Sequence, residues 1–503
     1  MGTTRGNDGR LTFGFDFQPR AGGTPTGRRS GDDPFRILLL ADLSGRAQRN
    51  IQDARDLGSR PCLRVDVDDY ESAMRTYAPR IDWPMGQILF KELDDFHPDQ
   101  LYRQLDVFKS LRDMRAKLND PNTFRETAQQ LRTEGRVDQP PADRQADTAP
   151  DEDVFGRLLG APSERSDPPR DVPSSDALTT MIHRLVAPYI VPAADPQRDQ
   201  YIASVDMAIG EHMRAILHHR DFQSLEATWR GIWELVTSLE LDENLELVIL
   251  DVTKKEILDD LRTHMADLTT SGLHRHWVDK AIGAPDARPW SVIVGHYDFE
   301  HSEEDIGLLA GLGLLASHAR APFLADAHPS LLGCPSLAHP LAPETWVADL
   351  PLFNELRTSM VSPWIGLAIP RVLMRQPYGQ RSDEIDTFPF EELGAAPDHE
   401  QFLWGSSAVA CAKLLGMAFQ EQGWSMVPEA YLDLEDLPAY TVDTKEDKAL
   451  MPCAEQWMSD RISDEVARRG LIAFMSYRHR NAVRVRTLQS IAEPPTALSG
   501  PWV

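Results

Sequence analysis

Cysteine is scarce in this sequence. There are four among 503 residues, Cys62, Cys334, Cys411 and Cys453. They lie far apart and form no C-x-x-C, so neither a zinc knuckle nor a disulfide framework is indicated, and a reducing compartment fits. Positive charge is also short: 52 Lys and Arg face 78 Asp and Glu, a formal net charge of −26. A surface that acidic repels phosphate backbones and anionic lipid, which argues against nucleic-acid or membrane partners. No run approaches the roughly 18 apolar residues of a membrane helix. Residues 1–10 are polar and glycine-rich, not an apolar leader. The expectation is a soluble, cytoplasmic chain. There is no G-x-x-x-x-G-K-[ST], so no P-loop motor is encoded.

At 42% hydrophobic residues the chain has ample material for cores, and its length predicts more than one domain. Residues 11–17 (LTFGFDF) alternate as a half-buried strand does, and 35–41 (FRILLLA) form a continuous apolar run that suits a buried strand. Asp42-Leu43-Ser44-Gly45 then supplies a turn. A helix from Asp68 to Ala78, a strand over 88–93 and one helix over 98–118 complete a small α/β block, residues 1–137. Residues 138–175 are dense in Pro, Asp, Arg and Ser and read as a linker. One island, 151–160, opens with acidic residues, carries Phe155, Leu158 and Leu159, and closes with Gly160, as a short docking helix would. From 176 to 503 the pattern is helix, helix, then strands alternating with helices: 245–252, 254–268, 290–297, 303–320, 321–325. That alternation predicts parallel strands with helices on both faces. A long helix over 401–420 and strands over 470–477 and 482–488 follow. The fold class is α/β: two modules on an acidic, Pro-rich linker, with mixed sheets and flanking helices.

Catalytic chemistry has few footholds. His296, Asp298, Glu300 and His301 gather at a strand's C-terminal end, where a metal-dependent α/β enzyme would place ligands. The structural alternative is a solvated strand end leading into a helix cap. Gly311-Leu312-Gly313 falls inside a predicted helix, which fits close helix packing and not a phosphate loop. Gly405-Ser406-Ser407-Ala408 lacks the second glycine of a nucleophile elbow. His218-His219 and His274-x-His276 lack a carboxylate or Cys companion set and read as surface or helix-end histidines. Trp229, Trp233 and Trp404 read as core. No catalytic, cofactor or metal residue is assigned.

Several phrases carry a resemblance. Residues 213–236 read MRAILHHRDFQSLEATWRGIWELV, with Phe222, Leu225, Glu226, Trp229, Arg230 and Gly231 forming F-x-x-L-E-x-x-W-R-G. Then come LVILDVTK (247–254), WSVIVGHYDF (290–299), APFLA (321–325), WIGLAIPRVLMRQPYG (364–379), FLWGSSAVA (402–410) and RGLIAFMSY (469–477). Spread over the second block, these resemble the large contractile-sheath subunit of bacterial type VI secretion systems. In the first block, FRILLLADLSGR (35–46), VDVDDYESAMRTYAPRI (65–81) and ELDDFHPDQLYRQL (92–105) resemble the small sheath subunit. The two look fused here, whereas the family usually keeps them as separate chains.

The resemblance implies a structural protein without enzymatic activity. It implies polymerisation as a helical sheath around an inner tube, and contraction without nucleotide. Implied partners are further copies of the chain, with or without a second sheath subunit, the inner-tube protein, the baseplate and a recycling AAA+ unfoldase. The island with Phe155, Leu158 and Leu159 is the counterpart of the unfoldase-docking helix, with a tether anchor as an equal alternative. Segments bearing Leu11, Phe13, Phe15 and Phe17, and Val483, Val485 and Leu488, are expected to exchange as edge strands between subunits, or else to pair within their own chain. The acidic charge fits a more basic inner tube. A sheath-like adaptor or baseplate component that does not polymerise is the rival reading.

Overall fold

The computed structural model describes residues 33–84, 86–134, 198–282, 287–338, 341–380, 382–394, 397–443 and 448–502. The expected strand over 11–17, the linker over 138–175 and its island with Phe155, Leu158 and Leu159 lie outside them.

The described chain opens with β1 (Phe35–Ala41), buried at every position but Arg36. The turn after it needs Gly45: its φ is +75°, and a Cβ there would sit 2.4 Å from the Arg80 carbonyl oxygen. β2 (Leu63–Val65) is short. α1 (Tyr70–Tyr77) ends where Ala78 turns left-handed ahead of Pro79. β3 (Arg80–Trp83) and β4 (Gly86–Leu89) form a hairpin. The single helix expected over 98–118 is two, α2 (Pro98–Gln104) and α3 (Asp106–Asn119), because Leu105 between them is extended. α4 (Phe124–Glu134) follows.

The second part begins with α5 (Arg198–Leu217) and α6 (Arg220–Ser238). The cap of α6 is His219, whose side chain accepts from the Asp221 N–H; Asp221 itself lies in the first turn. Then come β5 (Leu245–Asp251), α7 (Lys254–Thr263), β6 (Val292–Phe299), α8 (Glu303–Ala319), β7 (Phe323–Ala327), α9 (Pro351–Arg357) and β8 (Ile365–Ile369). α7 stops well before 268, which leaves Met265 exposed. β9 (Val372–Leu373) pairs with β10 (Trp404–Gly405). α10 (Ser407–Gln422) starts later than expected because Ser406 caps it. β11 (Asp433–Leu434), the hairpin of β12 (Thr441–Asp443) and β13 (Lys448–Leu450), α11 (Asp460–Arg468), β14 (Ile472–Ser476) and β15 (Val483–Val485) complete the order.

Among the described residues nine strands share one mixed sheet in the order β11-β15-β14-β8-β7-β6-β1-β5-β2. From β5 through β14 every neighbouring pair is parallel, as the alternation predicts; β2, β15 and β11 are antiparallel. Strand β1 lies between β5 and β6, paired with β5 from Phe35 opposite Leu245 to Ala41 opposite Asp251. The sheet therefore runs across the boundary between the two sequence blocks. Side chains alternate along β1 to feed two cores. Phe35, Ile37 and Leu39 join the core with α5, α6 and α10. Leu38 and Leu40 join the core with α7, α8 and α9. Gly311 and Gly313 serve close packing within α8: added Cβ atoms would lie 2.9 Å from Leu261 Cδ1 and 2.6 Å from Ile365 Cδ1. Among the described residues no helix is long and apolar enough to cross a membrane.

Candidate functional site

The F-x-x-L-E-x-x-W-R-G stretch occupies α6, and its residues form the seam between the two blocks. Phe222 packs on Phe90 and Phe96 of the first block, with ring centroids 5.8 and 5.6 Å away. Trp229, fully buried, donates from Nε1 to the Leu43 carbonyl at 2.9 Å, just past β1. The Tyr70 hydroxyl returns a bond to the Trp229 carbonyl at 2.8 Å. Leu225 lies in the same core. Trp233, expected inward, is on the exposed side of α6, its ring 4.9 Å from that of Tyr70.

Glu226 and Arg230 lie one step around the helix from that face. Glu226 Oε1 accepts from Arg230 Nε at 2.8 Å and from Arg375 Nε at 2.9 Å. Arg375 forks onto Glu392 at 2.7 and 2.9 Å, and Glu392 accepts the Tyr378 N–H at 2.8 Å. All three carboxylate and guanidinium partners Glu226, Arg375 and Glu392 are buried. Burial pushes the Glu226 carboxyl up, but Arg375 and Arg230 more than reverse it, so it lies below the usual range. Burial likewise disfavours charge on Arg375, and Glu226 and Glu392 outweigh it and raise its pKa. Such a buried, mutually paired network fixes geometry; removal of any one member strands the others' charges. The α6 signature thus ties the segment after β9 to the same helix that clasps the first block.

A second ionic staple lies at the other core. Glu256, at the start of α7, accepts from Arg60 at 2.7 and 3.1 Å and from Arg46 at 2.6 and 3.2 Å, both from the first block. Its carboxylate also closes a capping box with Thr253. Burial raises the carboxyl, and the hydrogen bonds from Arg60 and Arg46 overcome that to bring its pKa to about 2. Asp251, ending β5, accepts from the Leu43 N–H at 2.8 Å and the Ser44 hydroxyl at 2.7 Å. Neither Glu256 nor the Arg375–Glu392 fork was singled out from sequence. Arg375 and Tyr378 stand in the MRQPYG phrase, but nothing in spacing pairs them with Glu226, roughly 150 residues earlier.

The strand-end cluster does not converge. His296 Nδ1 lies 3.3 Å from Thr228 Oγ1 on α6, and burial pushes its pKa down to about 4. Asp298 and Glu300 are exposed. The Glu300 N–H donates to Asp305, and the His301 N–H to Ser330. This is the strand end and cap of the structural alternative, with Ser302 capping α8. Among the described residues the one group of three with metal-ligand spacing is His399, Glu400 and Glu455. There Arg371 already forks onto Glu455 at 2.6 and 3.0 Å, which disfavours a cation.

The histidine pairs differ from expectation. His219 is a helix end, but His274 and His276 are buried, with His274 Nδ1 3.3 Å from Asp279 and His276 Nδ1 3.4 Å from Cys62 Sγ. His218 lies 3.7 Å from Glu392. Glu392 and Cys62 are brought in by the fold, whereas Asp279 stands close to His274 in sequence. Val483 and Val485 are buried in β15, which pairs with β14 on one side and β11 on the other within this chain; Leu488 is buried in the same core.

Comparison with known proteins is consistent with these two interlocked segments. The family VipB (EvpB/VC_A0108, tail sheath N-terminal domain) matches residues 199–492. The family T6SS_VipA (Type VI secretion system, VipA, VC_A0107 or Hcp2) matches residues 27–135. Similar curated proteins include the type VI secretion system sheath protein TssC1 of Pseudomonas aeruginosa, 30% identical over 306 residues, covering 59% of this chain and 61% of TssC1. The type VI secretion system sheath protein TssB1 of the same organism is 24% identical over 102 residues, covering 18% of this chain and 58% of TssB1. The chain thus spans about three fifths of each relative's length.

Proposed function

The chain belongs to the VipB tail-sheath family, with a VipA-type segment ahead of it in the same polypeptide, and from that premise we propose that it is a structural subunit of a bacterial type VI contractile sheath. It polymerises with further copies of itself around an inner tube and contracts to propel that tube, without catalysis of its own. The observation that carries this reading is β1: the strand of the small-subunit-like segment lies between β5 and β6 of the large-subunit-like segment. A strand shared in that way makes one mechanical unit of two sequence blocks.

A head-to-tail contact that does not close yields an open filament, and main-chain bonding between neighbours would keep it continuous as subunits rotate. We put forward residues 11–17, with Leu11, Phe13, Phe15 and Phe17, as the exchanged strand. β15 is paired on both edges in its own chain and would have to leave β11 or β14 to take part. The inner tube, the baseplate and an unfoldase reading Phe155, Leu158 and Leu159 are the further partners proposed, in the cytoplasm.

Electron microscopy of the purified chain, alone and with its inner-tube protein, tests the proposal. Long tubes of regular cross-section are expected; compact particles under both conditions refute it. Deletion of residues 1–20 is expected to leave the fold and abolish tubes.

A further inference from the structure

At the N-terminal ends of the central strands, opposite the end where α/β folds usually place ligands, lies a cavity of 440 Å³. Strand register builds it. Arg36 stands beside Glu246 and Arg64 beside Val248, so that these side chains and Cys62 share one face of β1, β5 and β2. Arg288 and Lys280 complete the wall.

The charges do not balance. Glu246, buried beneath, is the one carboxylate among the described residues lining the cavity. Three guanidiniums converge on it: Arg36 at 2.8 Å, Arg288 at 2.6 Å and Arg64 at 3.3 Å. Lys280 adds another cation, its Nζ 3.1 Å from the Gly58 carbonyl, and Arg60, which also lines the cavity, is already paired with Glu256. One arginine would neutralise Glu246. The surplus stands out on a chain of net charge −26: burial works against the Arg36 charge, Glu246 only partly offsets it, and Arg288 opposes it again, so the pKa of Arg36 is lowered. Arg64 and Arg288 remain 45% and 46% exposed, and each guanidinium carries five N–H donors.

We propose that this cavity binds a phosphate-type oxyanion, held by Arg64, Arg288 and Lys280 with Arg36 beneath. Guanidinium forks match phosphate oxygens two at a time. The volume is that of a small-molecule site and not of a protein-docking face. A compact oxyanion of two or three negative charges suits a local surplus of three cations, while a long nucleic acid would meet the acidic surface around it.

Cys62 supplies the readout. It is partly accessible, and the other three cysteines are buried. Its thiol contacts His276 Nδ1, and burial raises its pKa to about 11. The full chain is treated with an alkylating reagent at pH 8.5 and constant ionic strength, in chloride, in pyrophosphate, in a nucleoside diphosphate, or with a Glu-rich peptide. Pyrophosphate at about ten times its Kd leaves roughly a tenth of sites open and slows Cys62 modification about tenfold. Equal protection by the nucleoside diphosphate assigns the site to phosphorylated metabolites as well; weaker protection assigns it to the free anion. The paired change Arg64→Gln and Arg288→Gln abolishes protection while the melting midpoint in chloride stays put, and Lys280→Gln weakens protection independently. The proposal is overturned if matched chloride protects equally, if protection survives all three substitutions, or if the peptide protects at lower concentration than pyrophosphate.

Discussion

Replacing Glu256 with glutamine tests whether ion pairs hold the two blocks together. The side chain is 0% exposed, and its partners Arg60 and Arg46 are 7% and 17% exposed. A carboxyl displaced from 4.5 to about 2 favours the ionised, folded form by about 3 kcal/mol at neutral pH. Glutamine also strands two largely buried guanidiniums, a loss of roughly 3–5 kcal/mol. Two routes thus give the same scale. The sign of the pH effect follows from the direction of the shift. Because the folded pKa lies below the unfolded one, the contribution is complete above pH 4.5 and disappears as pH falls through about 2. Urea unfolding of wild type and Glu256→Gln, followed from pH 7 to pH 2, is expected to show a gap that is full at pH 7 and closes between 4.5 and 2. Changing Glu256, Arg46 and Arg60 together to methionine is expected to restore most of the lost stability, since no charge is then left unpaired. A gap that is absent at pH 7, or that keeps its size down to pH 2, would refute the reasoning.

Two smaller changes probe the signature helix and its surroundings. A Cβ at Gly231 would meet Val409 Cγ1 at an ordinary 3.6 Å, so Gly231→Ala is expected to raise stability by about 1 kcal/mol through helix propensity; a loss in thermal midpoint would show that the packing is tighter than described. Asp326, buried, is raised to about 7 by that burial against hydrogen bonds from Ser406 and the Ala408 N–H. Its stabilising contribution is complete below 3.8 and lost as pH rises through about 7. Asp326→Asn keeps an acceptor for Ala408 and is expected to match wild type near pH 4 and exceed it at pH 8, by at most about 4 kcal/mol; a variant less stable at pH 8 would contradict this.

Much of the fold was legible because local pattern and tertiary role agreed. The run FRILLLA is apolar on both faces, and β1 does feed two cores. The alternation after residue 245 gave the parallel order. What was not legible depended on contacts distant in sequence. No periodicity places β1 between strands more than 200 residues later. The break at Leu105 leaves the helical spacing of Leu101, Phe108 and Leu111 nearly intact, so the pattern reads through it. Asp221 has a capping residue's chemistry, but the helix already begins at Arg220, with the imidazole of His219 accepting from Asp221's own N–H. Of the signature, Leu225 and Trp229 were readable as core from their spacing, whereas Phe222 stood out only through the signature itself and Trp233, read inward by the same spacing, is exposed. The role of Glu226 needed Arg375 and Glu392, which only the fold supplies.

The shared sheet raises a question that the fused sequence alone obscures: whether the tether holds the blocks together, or the interface does. Phe35, Ile37, Leu38, Leu39 and Leu40 are each essentially inaccessible, and at about 2 kcal/mol apiece their burial contributes roughly 10 kcal/mol. The Glu256 staple and the Trp229–Leu43 bond add to that, while separating the blocks regains a translational entropy worth at least about 4 kcal/mol. The balance favours association without a covalent link. A protease site inserted near residue 150 and cleaved under native conditions is therefore expected to yield two fragments that co-elute on size exclusion at micromolar concentration. With Glu256→Gln added, the cleaved fragments are expected to part at a lower urea concentration. If cleavage alone separates the fragments, the strand between β5 and β6 is held there by the tether's high local concentration, and the interlocked sheet would be a consequence of fusion and not its precondition.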